Sequence, residues 1–324
     1  MRKLPLARAF ILSKLGVKRP YLVSWSATYR CNARCLYCGV EAVSETPELP
    51  TDEALRLLDL LIDSGMVALT LTGGECLLRQ DIGEIISRVR SRGCIVKINT
   101  NGFLVPSRIQ ELIGVDEVTL SLDGPEEVHD QARGSGSFAK VIRAVEVLRS
   151  HQLPTIFNVT MAEHNIRSIS SILELCAEHQ IATYFQPAIA SKLFNFDVAN
   201  PIQALQTEYQ VAMRELITRK EAGERLILNS VETLRHLEQW PKPTPVSSCP
   251  AGVLSFRMDP VGNLSTCYRN PLDVVPLRGY SGKKITELPP RRGCRNCWCA
   301  QMVELAALND LSVGAVFNNL RVRL

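Results

Sequence analysis

From residue 21 to about residue 222, short runs rich in β-branched residues alternate with segments whose apolar side chains recur every three or four positions. The runs Tyr21–Ala27, Val67–Thr72, Cys94–Asn99, Glu117–Leu122, Thr155–Met161 and Thr183–Ile189 predict strands, because such residues fit a pleated, buried surface. The intervening periodicity predicts helices over 51–64, 81–92, 106–113, 137–151, 167–179 and 203–222. Asp81 followed by Glu84 reads as a helix start, and Gly65 and Gly93 read as stops. Six strand–helix units in succession predict a parallel sheet with its helices outside. No internal repeat is visible. Past residue 222 the pattern changes. A helical stretch ends near Gln239, and Pro241-Lys242-Pro243-Thr244-Pro245 reads as a stiff linker. The chain therefore divides into an extension at 1–20, a core at 21–222, a connector at 223–245 and a cysteine-rich module at 246–324 that ends in a helix.

The first predicted strand runs into Cys31-Asn32-Ala33-Arg34-Cys35-Leu36-Tyr37-Cys38. Three thiols so close in sequence share one loop and can converge on a single inorganic centre. A [4Fe–4S] cluster normally takes four cysteines, so one held by three leaves an iron with an open position. An open position marks a catalytic metal centre rather than a structural one. The competing reading is a structural zinc knuckle that lacks its fourth ligand.

This segment resembles the cluster loop of the radical S-adenosylmethionine (SAM) superfamily. The resemblance implies that Cys31, Cys35 and Cys38 hold a [4Fe–4S] cluster whose open iron binds the amino and carboxylate groups of SAM. One electron from the cluster then splits SAM into methionine and a 5′-deoxyadenosyl radical. Tyr37 stands where the family motif has an aromatic residue. Leu71-Thr72-Gly73-Gly74-Glu75 resembles the family segment that contacts the methionine amino group. There Gly73 and Gly74 would let the backbone approach a ligand closely, and Glu75 would supply a carboxylate for an ammonium. Cys76 departs from the pattern, which usually has proline, and leaves an extra thiol close to the expected SAM pocket.

The implied fold is α/β: a partial (β/α)6 parallel barrel with a small C-terminal cysteine-rich auxiliary-cluster domain. In parallel α/β barrels the chemistry sits at the carboxyl ends of the strands. The cysteine loop, Gly-Gly-Glu, Asn99-Thr100-Asn101-Gly102 and Ser121-Leu122-Asp123-Gly124 fall at four successive strand ends. Ser121 and Asp123 resemble positions at which family members hold the ribose of SAM; Asn101, Asn158 and Gln186 are further candidates for lining the pocket.

Beyond the linker come Cys249, Cys267, Cys294, Cys297 and Cys299. Residues 255–265 read as a hairpin that brings Cys249 and Cys267 together. The Cys-x12-Gly-x4-Cys pattern around Gly262 resembles the auxiliary-cluster module called SPASM, or Twitch in its short form, and Cys294 and Cys297 would complete four ligands. The shorter form fits the cysteine count. A four-cysteine zinc ribbon has compatible spacing. Cys299 is one thiol too many for a single cluster; it replaces Cys297, lies free, or donates a hydrogen atom. Cys94 and Cys176 read as core residues, and His129 as a solvated loop residue.

With 324 residues and 46% hydrophobic content, the chain can bury a sizeable core. No stretch reads as a membrane span and no cleavable secretory signal is apparent. The eleven cysteines therefore argue for a reducing cytoplasm and metal ligation rather than disulfides. Net charge is +4, yet the first forty residues hold no Asp or Glu while Arg2, Lys3, Arg8, Lys14, Lys18 and Arg19 crowd the leading segment. Leu4–Leu15 predicts a short basic amphipathic helix. One reading is a weak contact with anionic lipid or an acidic partner through residues 2–19. The other, which the shortness of the segment favours, packs the helix across the bottom of the barrel with its cations solvated. Nucleic-acid binding is disfavoured, because no aromatics interleave the basic residues.

The resemblance implies a radical SAM oxidoreductase with SAM, two [4Fe–4S] clusters and an electron donor such as flavodoxin or ferredoxin. The substrate expected is a small molecule such as a sugar or cyclitol, oxidised as the auxiliary cluster takes an electron from the substrate radical. A peptide maturase is the alternative, and only about twenty residues precede the first strand where such enzymes often carry a recognition domain. An epimerase would need a thiol hydrogen donor, for which Cys76 and Cys299 are the candidates. A non-catalytic iron–sulfur scaffold is the reading from another class, and it has no use for the intact Gly-Gly-Glu.

Overall fold

Along the core strands Leu69 and Leu71, Val96 and Ile98, Val118 and Leu120, Phe157 and Val159 are buried, while the residues between them are mostly polar and partly open. That period of two gives each strand one apolar face for helices and one polar face turned away from them. A computed structural model describes residues 3–188, 206–240, 246, 248–267, 273–290 and 297–310. Its strands β1 (Leu22–Thr28), β2 (Ala68–Gly73), β3 (Ile95–Thr100), β4 (Glu117–Ser121), β5 (Thr155–Met161) and β6 (Thr183–Pro187) follow the predicted runs closely. The predicted end of the sixth run, Ile189, lies outside the described residues. Helices α1 (Lys3–Lys14), α2 (Thr51–Asp63), α3 (Ile82–Ser91) and α4 (Val105–Leu112) precede or separate the first four strands. After them come α5 (Glu126–Arg133), α6 (Ser137–Ser150), α7 (Ile169–His179), α8 (Gln206–Glu221) and α9 (Val231–Glu238). Helix α5 is absent from the predicted elements, because Glu-Glu-Val-His-Asp-Gln-Ala-Arg is short and offers only Val128 and Ala132 as apolar positions. Asp81 precedes α3, but its carboxylate takes Arg79 and Thr51 instead of capping the helix.

The six strands pair in parallel in the order β6-β5-β4-β3-β2-β1, an open sheet that makes a partial barrel. Register places Ser24, Thr70, Lys97 and Glu117 side by side, then Ser121 beside Asn158, and Thr160 beside Gln186. These residues form the polar inner face. The tail extends the same sheet: β7 (Ser255–Met258) pairs in parallel with β1, and β8 (Asn263–Ser265) and β9 (Val274–Pro276) follow antiparallel. Residues 226–229 cover the other edge at β6, where Asn229 holds both the N–H and the carbonyl of Phe185. At the amino-terminal ends of the strands, Ala9 of α1 packs with Tyr21 and Leu254, as the barrel-bottom reading expects.

Helix α10 (Ala300–Asn309) returns to the β6 side. Gln186 donates to the Trp298 carbonyl (2.9 Å) and accepts from Ala300 N (2.7 Å). Tyr184 donates to the Ala300 carbonyl, and His236 Nε2 donates to that of Cys297 (2.8 Å). Deeper in the contact, the buried Glu304 carboxylate accepts from Ser230 N, Ser230 Oγ and Thr233 Oγ1. An acceptor from α10 thus closes the first turn of α9, where N–H groups lack intrahelical partners. The substitution Glu304→Ala strands three buried donors at once and is expected to cost about 3 kcal/mol, read from urea unfolding. A loss under about 1 kcal/mol would show that this carboxylate does not bolt the tail to the barrel.

Candidate active site

At the carboxyl end of β1 the chain turns into the cysteine loop, and β2 ends beside that turn. Gly74 N donates to the Thr28 carbonyl and Glu75 N to that of Arg30, both at 2.8 Å. A Cβ on Gly73 would lie 2.1 Å from the Thr28 oxygen, and one on Gly74 2.2 Å from the Arg30 oxygen. The glycines are therefore needed so that two strand ends can touch. That contact accounts for both glycines whether or not a ligand also approaches their backbone.

Glu75 is fully buried. Its carboxylate accepts from Leu77 N (3.1 Å), Thr100 Oγ1 (2.9 Å) and Asn101 N (2.8 Å). Burial pushes its carboxyl up, and the N–H groups of Asn101 and Leu77 oppose that rise. With these partners it ties β2 to the end of β3. Asn101 continues the chain of contacts: its Nδ2 donates to Asn32 Oδ1 (2.8 Å) and lies 3.9 Å from Cys31 Sγ. Cys76, expected beside the SAM pocket, is buried in the apolar core with its thiol toward the Asn99 carbonyl. That placement weighs against it as a hydrogen donor at the rim.

The second anchor lies just past the end of β4. Asp123 is fully buried; its Oδ2 accepts from Tyr37 Oη (2.5 Å) and Arg133 Nε (2.6 Å), and its Oδ1 from Thr160 N (3.0 Å). Burial alone would raise its carboxyl, but the Arg133 guanidinium holds it below the usual range. Three protein donors already engage this carboxylate, so in this structure Asp123 serves first as an anchor for the loop. Arg133 is the residue that sequence reasoning missed. Its Nη1 lies 3.8 Å from Cys35 Sγ and its guanidinium sits against the Tyr37 ring. The overlooked signal was Pro125 followed by two glutamates, a helix start that sets Arg133 in the last turn of α5. Leu36 N donates to the Ala132 carbonyl, a further tie between the loop and α5.

The ring of Tyr37 also stacks on His164 at 5.9 Å and 11°, so this aromatic anchors the loop. His129 is buried in α5 and its Nδ1 accepts from Asp123 N; burial pushes it down to about 4. It is thus a neutral core acceptor and not the solvated loop residue expected. Gln186 is likewise spent on the tail. Of the rim polar residues, Ser121 and Asn158 remain half-buried, adjacent in register and without hydrogen-bond partners for their side chains among the described residues.

Cys31 and Cys35 are half-buried and Cys38 is exposed. Burial pushes the Cys35 thiol up to about 11 while the Arg133 guanidinium pulls it down, and the other two thiols add their charge. Among the described residues no three His, Cys, Asp or Glu side chains converge on one metal ion. A cluster bound at a different iron by each thiolate needs no such convergence. Three thiols with N–H donors near two of them fit such a cluster better than a single zinc. In the tail, Cys299 heads α10 and lies near enough to Cys267 to feel its charge, Cys297 is buried, and Cys249 lines a cleft between α1 and α10. Cys294 and the proline-rich linker lie outside the described residues.

Residues 25–176 match the radical SAM superfamily. The chain carries a radical SAM domain, whose family uses SAM and a [4Fe–4S] cluster. It is 36% identical over 172 residues to an AdoMet-dependent heme synthase of Methanosarcina barkeri, a match that covers 51% of this chain and 49% of that protein. It is 27% identical over 259 residues to the mycofactocin maturase MftC of Mycobacterium ulcerans, covering 78% of this chain and 69% of the relative. The chain thus spans about half the length of the first of these relatives. Among solved structures, native anSMEcpe with bound AdoMet and Kp18Cys peptide superposes with a TM-score of 0.63 at 18% identity, covering 78% of this chain and 75% of that one. Streptococcus suis SuiB bound to the precursor peptide SuiA gives 0.64 at 14% identity, covering 87% and 66%. At these identities the structural matches speak for the fold.

Replacing Asp123 by Asn keeps the shape but leaves the Arg133 cation buried without its counterion. We expect a loss of about 3–5 kcal/mol in urea unfolding, with faster hydrogen exchange across residues 30–39. A change under about 1 kcal/mol and unchanged exchange would show that the loop is held elsewhere.

Proposed function

We propose that this protein is a SAM-cleaving oxidoreductase that removes two electrons from a substrate with charged groups seated in the polar lumen. The observation that carries the reading is the loop itself: three thiols fixed at the mouth of a lumen lined by ionic side chains. Loaded with cluster and SAM, such a loop supplies a 5′-deoxyadenosyl radical that takes a hydrogen atom from an unactivated C–H bond. The chain's own residues hold, aim and select. Cys31, Cys35 and Cys38 would hold the cluster, and Ser121 and Asn158, with side chains open to the lumen, would contact SAM. Asp123, Arg133, Glu75 and Asn101 fix the loop from behind.

Lys97, paired with Glu117 at 2.8 Å, and Arg257, donating to Ser26 Oγ at 3.0 Å, place cations on the inner face. An inner face that carries Lys97, Glu117 and Arg257 suits a substrate with charged groups, as a peptide or a small acid has, better than a neutral sugar or cyclitol. The similar proteins named as a heme synthase and a mycofactocin maturase do not favour the sugar or cyclitol reading. Cys249, Cys267, Cys294 and either Cys297 or Cys299 would hold an auxiliary cluster, which would supply an electron acceptor; a flavodoxin or ferredoxin would supply the initiating electron. Burial of Cys76 in the core weighs against an epimerase that returns hydrogen from it.

Anaerobically reconstituted protein given dithionite and SAM is expected to form 5′-deoxyadenosine and to carry about eight irons per chain. Exchanging Cys31, Cys35 and Cys38 for alanine should abolish SAM cleavage and leave about four irons. Cleavage at the parent rate in that variant would overturn the loop assignment; zinc in the tail with no remaining iron would overturn the auxiliary cluster.

A further inference from the structure

Helix α1 is apolar on two opposite faces. One face is accounted for: Ala9 and Ser13 are buried, and Ala9 packs on Tyr21 and Leu254 at the amino-terminal ends of the strands. The other face is not. At about 100° per residue, Leu4, Ile11 and Leu15 fall within roughly 40° of one another and opposite Ala9 and Ser13. Leu15 N still donates to the Ile11 carbonyl (3.1 Å), so the helical path reaches Leu15. These three side chains are 79%, 60% and 74% exposed, and they are three of the seven large apolar side chains exposed among the described residues. Scattered exposed apolar residues need no explanation, whereas an aligned stripe marks a contact surface.

The charge around the stripe selects the partner. Arg8 lies on the same face, and Lys14 and Lys18 are exposed beside it. None of Arg8, Lys14 and Lys18 forms an ion pair among the described residues, and the first acidic residue of the chain is Glu41. A second copy packed on this face by a two-fold axis would set these cations against their own copies. An anionic bilayer takes both features, with acyl boundary for the leucines and isoleucine and phosphates for the cations. No helix among the described residues is long and apolar enough to cross a membrane, so the contact is interfacial. We propose that α1 seats the protein on an anionic lipid surface through Leu4, Ile11 and Leu15. The cysteine loop lies at the opposite ends of the strands, so the seated protein turns its active mouth toward water.

Full-length protein is sedimented with vesicles of phosphatidylcholine alone or mixed with phosphatidylglycerol. Partitioning at least about tenfold stronger onto the mixed vesicles is expected, weakening as salt rises. Ile11→Glu should reduce that binding by about tenfold or more, and the milder pair Leu4→Ser with Leu15→Ser should do the same with unchanged circular dichroism. Equal binding to both vesicles, or no binding to either, overturns the proposal. A dimer in light scattering that Ile11→Glu converts to monomer, without lipid binding, assigns the face to a second copy instead.

Discussion

The buried ion pair between Asp123 and Arg133 is the constraint on which the site depends. A carboxylate and a guanidinium removed from water are tolerated only when paired and hydrogen-bonded, and here the partners are what the site needs fixed. Tyr37 donates to Asp123, Arg133 reaches toward Cys35, and Thr160 N closes the remaining side. One pair therefore joins the cysteine loop, the ends of β4 and β5 and helix α5. Loops without regular hydrogen bonding are held in place by such side-chain networks, and a satisfied network in low dielectric is rigid.

The opposite flank of the loop uses the same economy of parts. Gly73 and Gly74 let the β2 end touch the backbone of Thr28 and Arg30, and Glu75 then ties that corner to Thr100 and Asn101. Both flanks spend their carboxylates on protein donors. The groups left facing the lumen are neutral, Ser121 and Asn158 near the rim, with the ionic residues Lys97, Glu117 and Arg257 on the inner face. Groups of this kind, few and neutral beside a fixed loop, suit the orientation of a polar ligand.

Much of this was legible in the residues. Strand and helix positions followed from apolar periods of two and of 3.6, and the cysteine spacing pointed to the loop at the first strand end. What could not be read was the direction in which polar side chains turn. Asp123, Glu75, Asn101 and Gln186 stand at strand ends where a ligand would be expected, and the structure commits each to a protein partner. Spacing along a chain does not reveal that Arg133, ten residues on, folds back over Asp123, because α5 is short and has few apolar residues. Cys76 follows the same rule: its neighbour Glu75 marks a site in sequence, yet the turn after β2 points the thiol into the core.

The central claim is that Cys31, Cys35 and Cys38 are held so that one iron of their cluster stays open for SAM. It is tested most directly by electron–nuclear double resonance on the reduced, reconstituted protein with SAM isotopically labelled at its carboxylate and amino groups. The account predicts hyperfine coupling from both labels to the cluster. A reduced cluster whose spectrum is the same with labelled and unlabelled SAM, under saturating SAM, would contradict it.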